Sequence, residues 1–171
     1  MTILALDLAT TTGWAIYQED KINKVFSGTE SFKNDRYSGG GMRFLKFEKF
    51  LEMINFLVSD PPTKNIGPPD FQRTNIKEVV FEEVRRHIGV DAAHVYGGFM
   101  GVLTSWCEKR KIPYQGVPAG TIKKFITGKG NASKIEVINA IKEKGHTPQD
   151  DNEADALALL YWRLENEKNI P

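Results

Sequence analysis

Acidic side chains occur at three places in this sequence where a folding core would be better served by neutral ones. Asp7 ends the apolar run "ILAL", and Glu82, with Glu83 beside it, follows "VVF". A third stretch, "DDNEADALALLYW" (150–162), crowds Asp150, Asp151, Glu153 and Asp155 into the start of a helix that is otherwise apolar. Carboxylates suit a helix N-terminus, where they cap free N–H groups and offset the positive end of the dipole. That accounts for Asp150 or Asp151, and for Glu153. It does not account for Asp155, one turn in and flanked by Ala154 and Ala156. An unpartnered carboxylate there costs on the order of several kcal/mol in lost hydration, so a cation or another partner is expected.

Each acid alone has a plain explanation. A strand-end Asp starts turns, and a Glu pair at a strand end is usually solvated. Together, Asp7, Glu82, Asp151 and Asp155 make a narrower set: hard oxygen ligands from the ends of two strands and from one helical face, since residues four apart share a face. Such a set suits Mg²⁺, with Mn²⁺ as a substitute, because both prefer carboxylate, water and phosphate oxygens. Two ions held about 3.5–4 Å apart would activate a water and stabilise the leaving oxygen of a phosphodiester.

Phosphate chemistry requires local positive charge here, because a net charge of +1 creates no global field. The segment "KKFITGKGNASK" (123–134) supplies Lys123, Lys124, Lys129 and Lys134 together with Gly128 and Gly130. Lysines and backbone N–H groups near helix starts bind nucleic-acid backbones, although a solvated lysine-rich loop reads the same way. Arg85 and Arg86 directly follow the Glu82 strand end and project from the same edge as the acids, so one of them is expected to contact DNA. His87, His94 and His146 have no ligand spacing and read as surface or internally satisfied histidines.

The elements that must position these groups follow from periodicity. Ile3 to Asp7 is a short buried strand, 13–18 its hairpin partner and 21–32 a third strand. The Gly-rich loop 38–41 leads into a helix from Met42 to Val58 with one apolar stripe of Phe44, Phe47, Leu51, Ile54 and Val58. A Pro-rich loop (60–75) precedes a strand at 78–84. A helix from Val90 to Arg110 follows, small and aromatic in its middle, where Tyr96 and Phe99 read as core or dimer interface. A strand at 112–117, helices near 119–127 and 132–144, and the acidic helix complete the chain. Three meandering strands followed by alternating helices and strands describe an α/β sheet with an antiparallel hairpin set and a parallel continuation.

Composition bounds the rest. The 171 residues read as one domain, 1–171, large enough for a proper core, with an ordinary soluble balance of 40% hydrophobic and 26% charged residues. The single Cys107 excludes an internal disulfide and a cysteine zinc cluster, and fits a reducing compartment. The start "MTILALDLA" has no basic flank and meets Asp7 after four apolar residues. It reads as neither a signal peptide nor a membrane span, and a cytoplasmic protein is expected.

Four stretches, "LALDLATTTGWA", "VVFEEVRRH", "VPAGTIKKFITGKGNASK" and "NEADALALL", occur in the order and spacing of the RuvC-type Holliday-junction resolvases. From Ile3 to about Trp162 the chain resembles the bacteriophage branch of that family more closely than the bacterial enzymes. The resemblance implies an RNase H-like α/β fold with a mixed five-stranded sheet flanked by helices, and a homodimer. It implies the activity of a crossover junction endodeoxyribonuclease: Mg²⁺-dependent nicking of four-way junctions and of other branched DNA, three-way junctions and flaps included. A phage-encoded enzyme would act in its bacterial host's cytoplasm. The family's catalytic acids carry over to Asp7, Glu82 and Asp155, and its lysines near the scissile phosphate to Lys123 and Lys134. Two departures stand out. Leu8-Ala9 replaces the Pro-Gly that many members place after the first acid. The family's fourth acid often lies three residues before the last, where this chain has Asn152; Asp151, four before, is the substitute.

Other functions compete. "DLATTTG" also resembles the phosphate loop of sugar kinases and actin-like ATPases, but that architecture needs two such domains and a second phosphate loop. A non-catalytic DNA-binding module would have little reason to keep acids near phosphate. A nuclease for RNA or for branched DNA generally keeps the fold and changes the substrate.

Overall fold

The computed structural model describes residues 1–19, 24–59, 74–84 and 89–166. The order of elements is β1 (Thr2–Asp7), β2 (Thr11–Gln18), β3 (Lys24–Ser31), α1 (Met42–Val58), β4 (Glu78–Glu83), α2 (Val90–Arg110), β5 (Tyr114–Pro118), α3 (Ala119–Thr127), α4 (Lys134–Glu143) and α5 (Asp151–Asn166). The strands form one sheet in the order β3-β2-β1-β4-β5. β1 pairs antiparallel with β2 and β2 with β3, whereas β1–β4 and β4–β5 are parallel. The mixed sheet with an antiparallel hairpin side and a parallel side is therefore the observed one.

Strand periodicity divides the interior into two cores. Leu4, Leu6, Leu8, Val79 and Phe81 point toward α1 and α2, where they meet Phe47, Phe50, Leu51, Phe99, Leu103 and Trp106. This layer is aromatic, with Phe32, Phe47 and Phe99 in mutual ring contact at 5.2–5.9 Å between centroids. Ile3, Ala5, Ala15, Val80 and Val117 point the other way, toward α3, α4 and α5. There the helix contributes Ala154, Ala156 and Ala158 among its leucines, so α5 lies close against the sheet. The same alternation carries Asp7, two residues past Ala5, and Glu82, two past Val80, to the α5 side.

Two buried guanidinium groups, each paired with a carboxylate, tie the layers. Arg110 donates to both oxygens of Glu52 at 2.7 Å and lies over the Trp106 ring, joining α2 to α1. Arg163 donates to Glu78 at 2.7 Å, joining α5 to β4. Cys107 is buried in the aromatic layer, where desolvation pushes its thiol up to about 12. No described helix is long and apolar enough to cross a membrane.

Element ends differ from the sequence reading for local reasons. β2 begins at Thr11 rather than 13, because the preceding turn is closed by Thr12. Its hydroxyl donates to the Ala9 carbonyl at 2.6 Å and accepts the Ala9 N–H at 3.3 Å. This is how the chain turns with Leu8-Ala9 in place of Pro-Gly. β5 begins at Tyr114 rather than 112, because Ile112 belongs to the end of α2. Lys111 is left-handed (φ 55°), and the Ile112 N–H donates back to the Cys107 carbonyl at 3.0 Å. α4 begins at Lys134 behind a capping box formed by Ser133 and Glu136.

Candidate active site

Asp7 ends β1, and Glu82 is the penultimate residue of its parallel neighbour β4. Leu6 pairs with Phe81, and the two acids follow one residue later. Asp151 and Asp155 come from the first turns of α5, which crosses this face. Burial and the other carboxylates act on Asp7 together. Its acidity is weakened well past the ordinary carboxylate range, by desolvation first and then by Glu82, Asp155 and Asp151, with Lys134 opposing. Glu82 is pushed up to about 7 by desolvation and by Asp155, and Asp155 to about 6 by desolvation, Asp151 adding to it. Lys123 lowers both. The structure thus brings all four predicted acids and both predicted active-site lysines into one electrostatic cluster.

Asp151 differs from the other three. Its Oδ2 accepts a hydrogen bond from the Lys134 ammonium, and that contact holds it below the ordinary carboxylate range. Among the described residues no three His, Cys, Asp or Glu side chains are arranged to hold a metal ion as they stand. The donor set nevertheless fits Mg²⁺ or Mn²⁺ in kind. It is all oxygen, and in three of the four carboxylates the charge is destabilised by burial and by the neighbouring acids. Closing on an ion would require Asp151 to exchange Lys134 for the cation.

The remaining basic residues are placed less closely. Lys124 is exposed, and no contact joins it to the acids. Lys129 is paired with Glu136 at 3.1 Å on the exposed side of the capping box. Arg85, Arg86 and His87 lie outside the described residues. His94 is exposed, and His146 is satisfied by the Tyr161 hydroxyl at 2.6 Å.

Two functional supports escaped sequence reading. Tyr96 is a core residue as expected, yet its hydroxyl donates to the Glu82 carbonyl at 3.0 Å and accepts the Val84 N–H at 3.2 Å. It therefore grips the backbone that presents Glu82. It also lines a cleft of about 440 Å³ with Asp7, Leu8, Val84 and Asp91. Glu153 is not a solvated cap but 5% exposed, and it accepts from Ser27 Oγ at 2.7 Å and from the Gln149 N–H at 2.8 Å. The cap is Asp150, whose Oδ1 accepts the Glu153 N–H at 2.9 Å and the Thr29 hydroxyl at 2.7 Å. Glu153→Ala removes both of these contacts from a buried position and is expected to cost about 1–3 kcal/mol. Urea unfolding checks this: a loss under about 0.5 kcal/mol would make the contacts incidental.

A sheet of this order, with acids at the ends of its two central parallel strands and on a helix crossing them, is an RNase H-like α/β architecture, and its form is the RuvC type. The chain is similar to Thermus thermophilus RuvC, with a TM-score of 0.71 and 17% identity, covering 99% of this chain and 96% of that one. Its similarity to T. thermophilus RuvC in complex with Holliday junction substrate has a TM-score of 0.72 and 18% identity, covering 96% of each chain. The yeast mitochondrial Holliday junction resolvase is more distant, with a TM-score of 0.53 and 10% identity over 98% of this chain and 84% of that one. No family model matches the sequence.

Proposed function

We propose that this protein is a metal-dependent endonuclease that nicks four-way DNA junctions and other branched DNA. The observation that carries the reading is the cluster of four carboxylates on a RuvC-type fold, three of them electrostatically destabilised, where β1, β4 and α5 meet. A fold of this type also serves other chemistry, so the function rests on the site. Asp7, Glu82, Asp151 and Asp155 would hold Mg²⁺, with Mn²⁺ as a substitute and two ions as the expected number. The ions would supply Lewis-acid activation of water and neutralise charge on the phosphate.

The chain's own residues do the rest. Lys123 and Lys134 set positive charge beside acids that would otherwise repel a phosphodiester. Lys124, Lys129, Arg85 and Arg86 are assigned to the DNA backbone. Tyr96 keeps Glu82 on its strand end. Symmetric resolution takes paired nicks, so a homodimer belongs to the proposal. On α2, Gly98 is filled by Phe44, while Gly97 and Gly101 face open space and leave a strip for a partner. A bacteriophage-like enzyme acting on DNA in a cytoplasm belongs to the same reading.

Cleavage of four-way, three-way, flap and linear duplex substrates in Mg²⁺ tests it. Branched substrates are expected to be nicked and linear duplex spared, with activity lost in EDTA and little cleavage in Ca²⁺. Full activity in excess EDTA, or equal cutting of linear duplex, would overturn the proposal. Tight junction binding without cleavage in any divalent ion would make the chain a binding module.

A further inference from the structure

Gly13 lies directly across the β1–β2 ladder from Asp7, and its partner on the other side, in β3, is Thr29. The first turn of α5 rests on this row. A Cβ at Gly13 would stand 1.8 Å from the Asn152 carbonyl oxygen, 2.3 Å from its carbon and 2.9 Å from the Glu153 nitrogen. All three are backbone atoms, so no rotamer change relieves the clash. The helix itself must retreat. Gly13 has no positive φ, so what is needed there is space rather than a special backbone conformation.

The same turn is fastened to β3 on either side of that contact. Ser27 Oγ donates to Glu153 and Thr29 Oγ1 to Asp150, each at 2.7 Å. The bonded residues, Asp150 and Glu153, bracket Asp151 and Asn152, and Asp155 follows half a turn later. The height and rotation of the helix-borne acids over Asp7 are therefore set by one missing side chain and two hydroxyl bonds.

We infer that Gly13 is a positioning residue for Asp151 and Asp155, and that Ser27 and Thr29 lock the seat it provides. The inference rests on the reading of the four acids as a metal-dependent nuclease site. A side chain at position 13 lifts the start of α5 away from the sheet and separates the helix acids from Asp7 and Glu82. DNA-binding groups on α3 and its following loop belong to an element that position 13 does not touch. A misplacement of about 1 Å at a reacting centre costs roughly a hundredfold in rate.

The test compares wild type, Gly13→Ala and the double variant Ser27→Ala/Thr29→Val in the full chain. Three quantities are measured: kcat on a four-way junction in saturating Mg²⁺, junction Kd in Ca²⁺, and Mn²⁺ affinity by calorimetry without DNA. For Gly13→Ala, kcat is expected to fall about a hundredfold and Mn²⁺ affinity about tenfold, with junction Kd unchanged within about threefold. The double variant, which keeps Gly13, is expected to move kcat and Mn²⁺ affinity the same way by smaller factors.

A folded Gly13→Ala protein with wild-type kcat and Mn²⁺ affinity overturns the inference. Where Gly13→Ala does not fold, wild-type Mn²⁺ affinity in the double variant overturns it. A wild-type protein that binds Mn²⁺ but nicks no DNA would remove the nuclease reading, and the Mn²⁺ titrations would still decide the role of Gly13. A wild-type protein that binds no Mn²⁺ would overturn both.

Discussion

Asp7→Asn is expected to lower junction nicking by about a thousandfold or more, roughly 4 kcal/mol of transition-state stabilisation, while junction affinity holds or rises. Asn keeps the shape of the side chain and removes a charge that repels phosphate. Asp7 is also the acid on which Glu82, Asp155 and Asp151 all act, so its loss removes the centre of the cluster. The companions should divide by their placement on α5. Asp155→Asn abolishes nicking, and Asp151→Asn reduces it severely, because the two lie within about 40° of each other around the helix axis. Asp150→Asn acts chiefly through the helix cap, where an Asn side chain still accepts the Glu153 N–H. Gel assays of rate and affinity on one junction check the set. Turnover by Asp7→Asn within tenfold of wild type would remove that residue from the chemistry.

In EDTA the protein should lose stability as pH rises from about 5 to 7.5, and Mg²⁺ should restore it. Asp7, Glu82 and Asp155 all have folded-state values above their ordinary ones, reaching about 7 for Glu82 and about 6 for Asp155. Between the ordinary and the raised value the folded chain binds more protons than the unfolded chain. Their contribution is therefore present in full below about pH 4 and is lost as pH rises through the folded values. At 1.36 kcal/mol per pKa unit, the rise of Glu82 from 4.5 to about 7 sets an upper figure of about 3.4 kcal/mol, and solvent screening of this half-buried group brings it to about 2–3. Asp151 and Glu136 shift the other way, so their support fades only in stronger acid. Melting curves in EDTA should fall by about 5–10 °C across this range. Asp155→Asn should flatten the fall and raise the metal-free Tm at neutral pH. A melting temperature that is level or rising between pH 5 and 7.5 would refute the proposed crowding of charge.

The acids were legible because charge inside an apolar run is conspicuous: "ILALD", "VVFE" and "ADALALL" announce themselves. The elements were legible for the same reason, since strand alternation and the α1 stripe are local patterns. Supports that act through space were not. Nothing in "DDNEADALALLYW" distinguishes Glu153, buried against Ser27 from a strand 126 residues earlier, from a solvated first-turn acid. Tyr96 was readable as core but not as a clamp, because its hydroxyl serves the backbone of Glu82 and Val84, and backbone partners leave no mark on side-chain chemistry. Gly13 sits in "TTGWA" as an ordinary strand glycine until α5 is laid over it. Ile112 reads as strand because apolar character does not reveal a helix stop, which depends on the left-handed Lys111.

The division of the interior into an aromatic layer and an alanine-rich layer bears on how such a chain can drift. Bulky side chains facing α1 and α2 can trade volume among themselves, since apolar exchanges that conserve total volume usually cost less than about 1.5 kcal/mol. Across the sheet, Ala5, Ala15, Ala154, Ala156 and Ala158 leave no such slack, and a larger residue there would lift the acids. The fold would then be written in the chain as an alternation of sizes rather than as a string of letters.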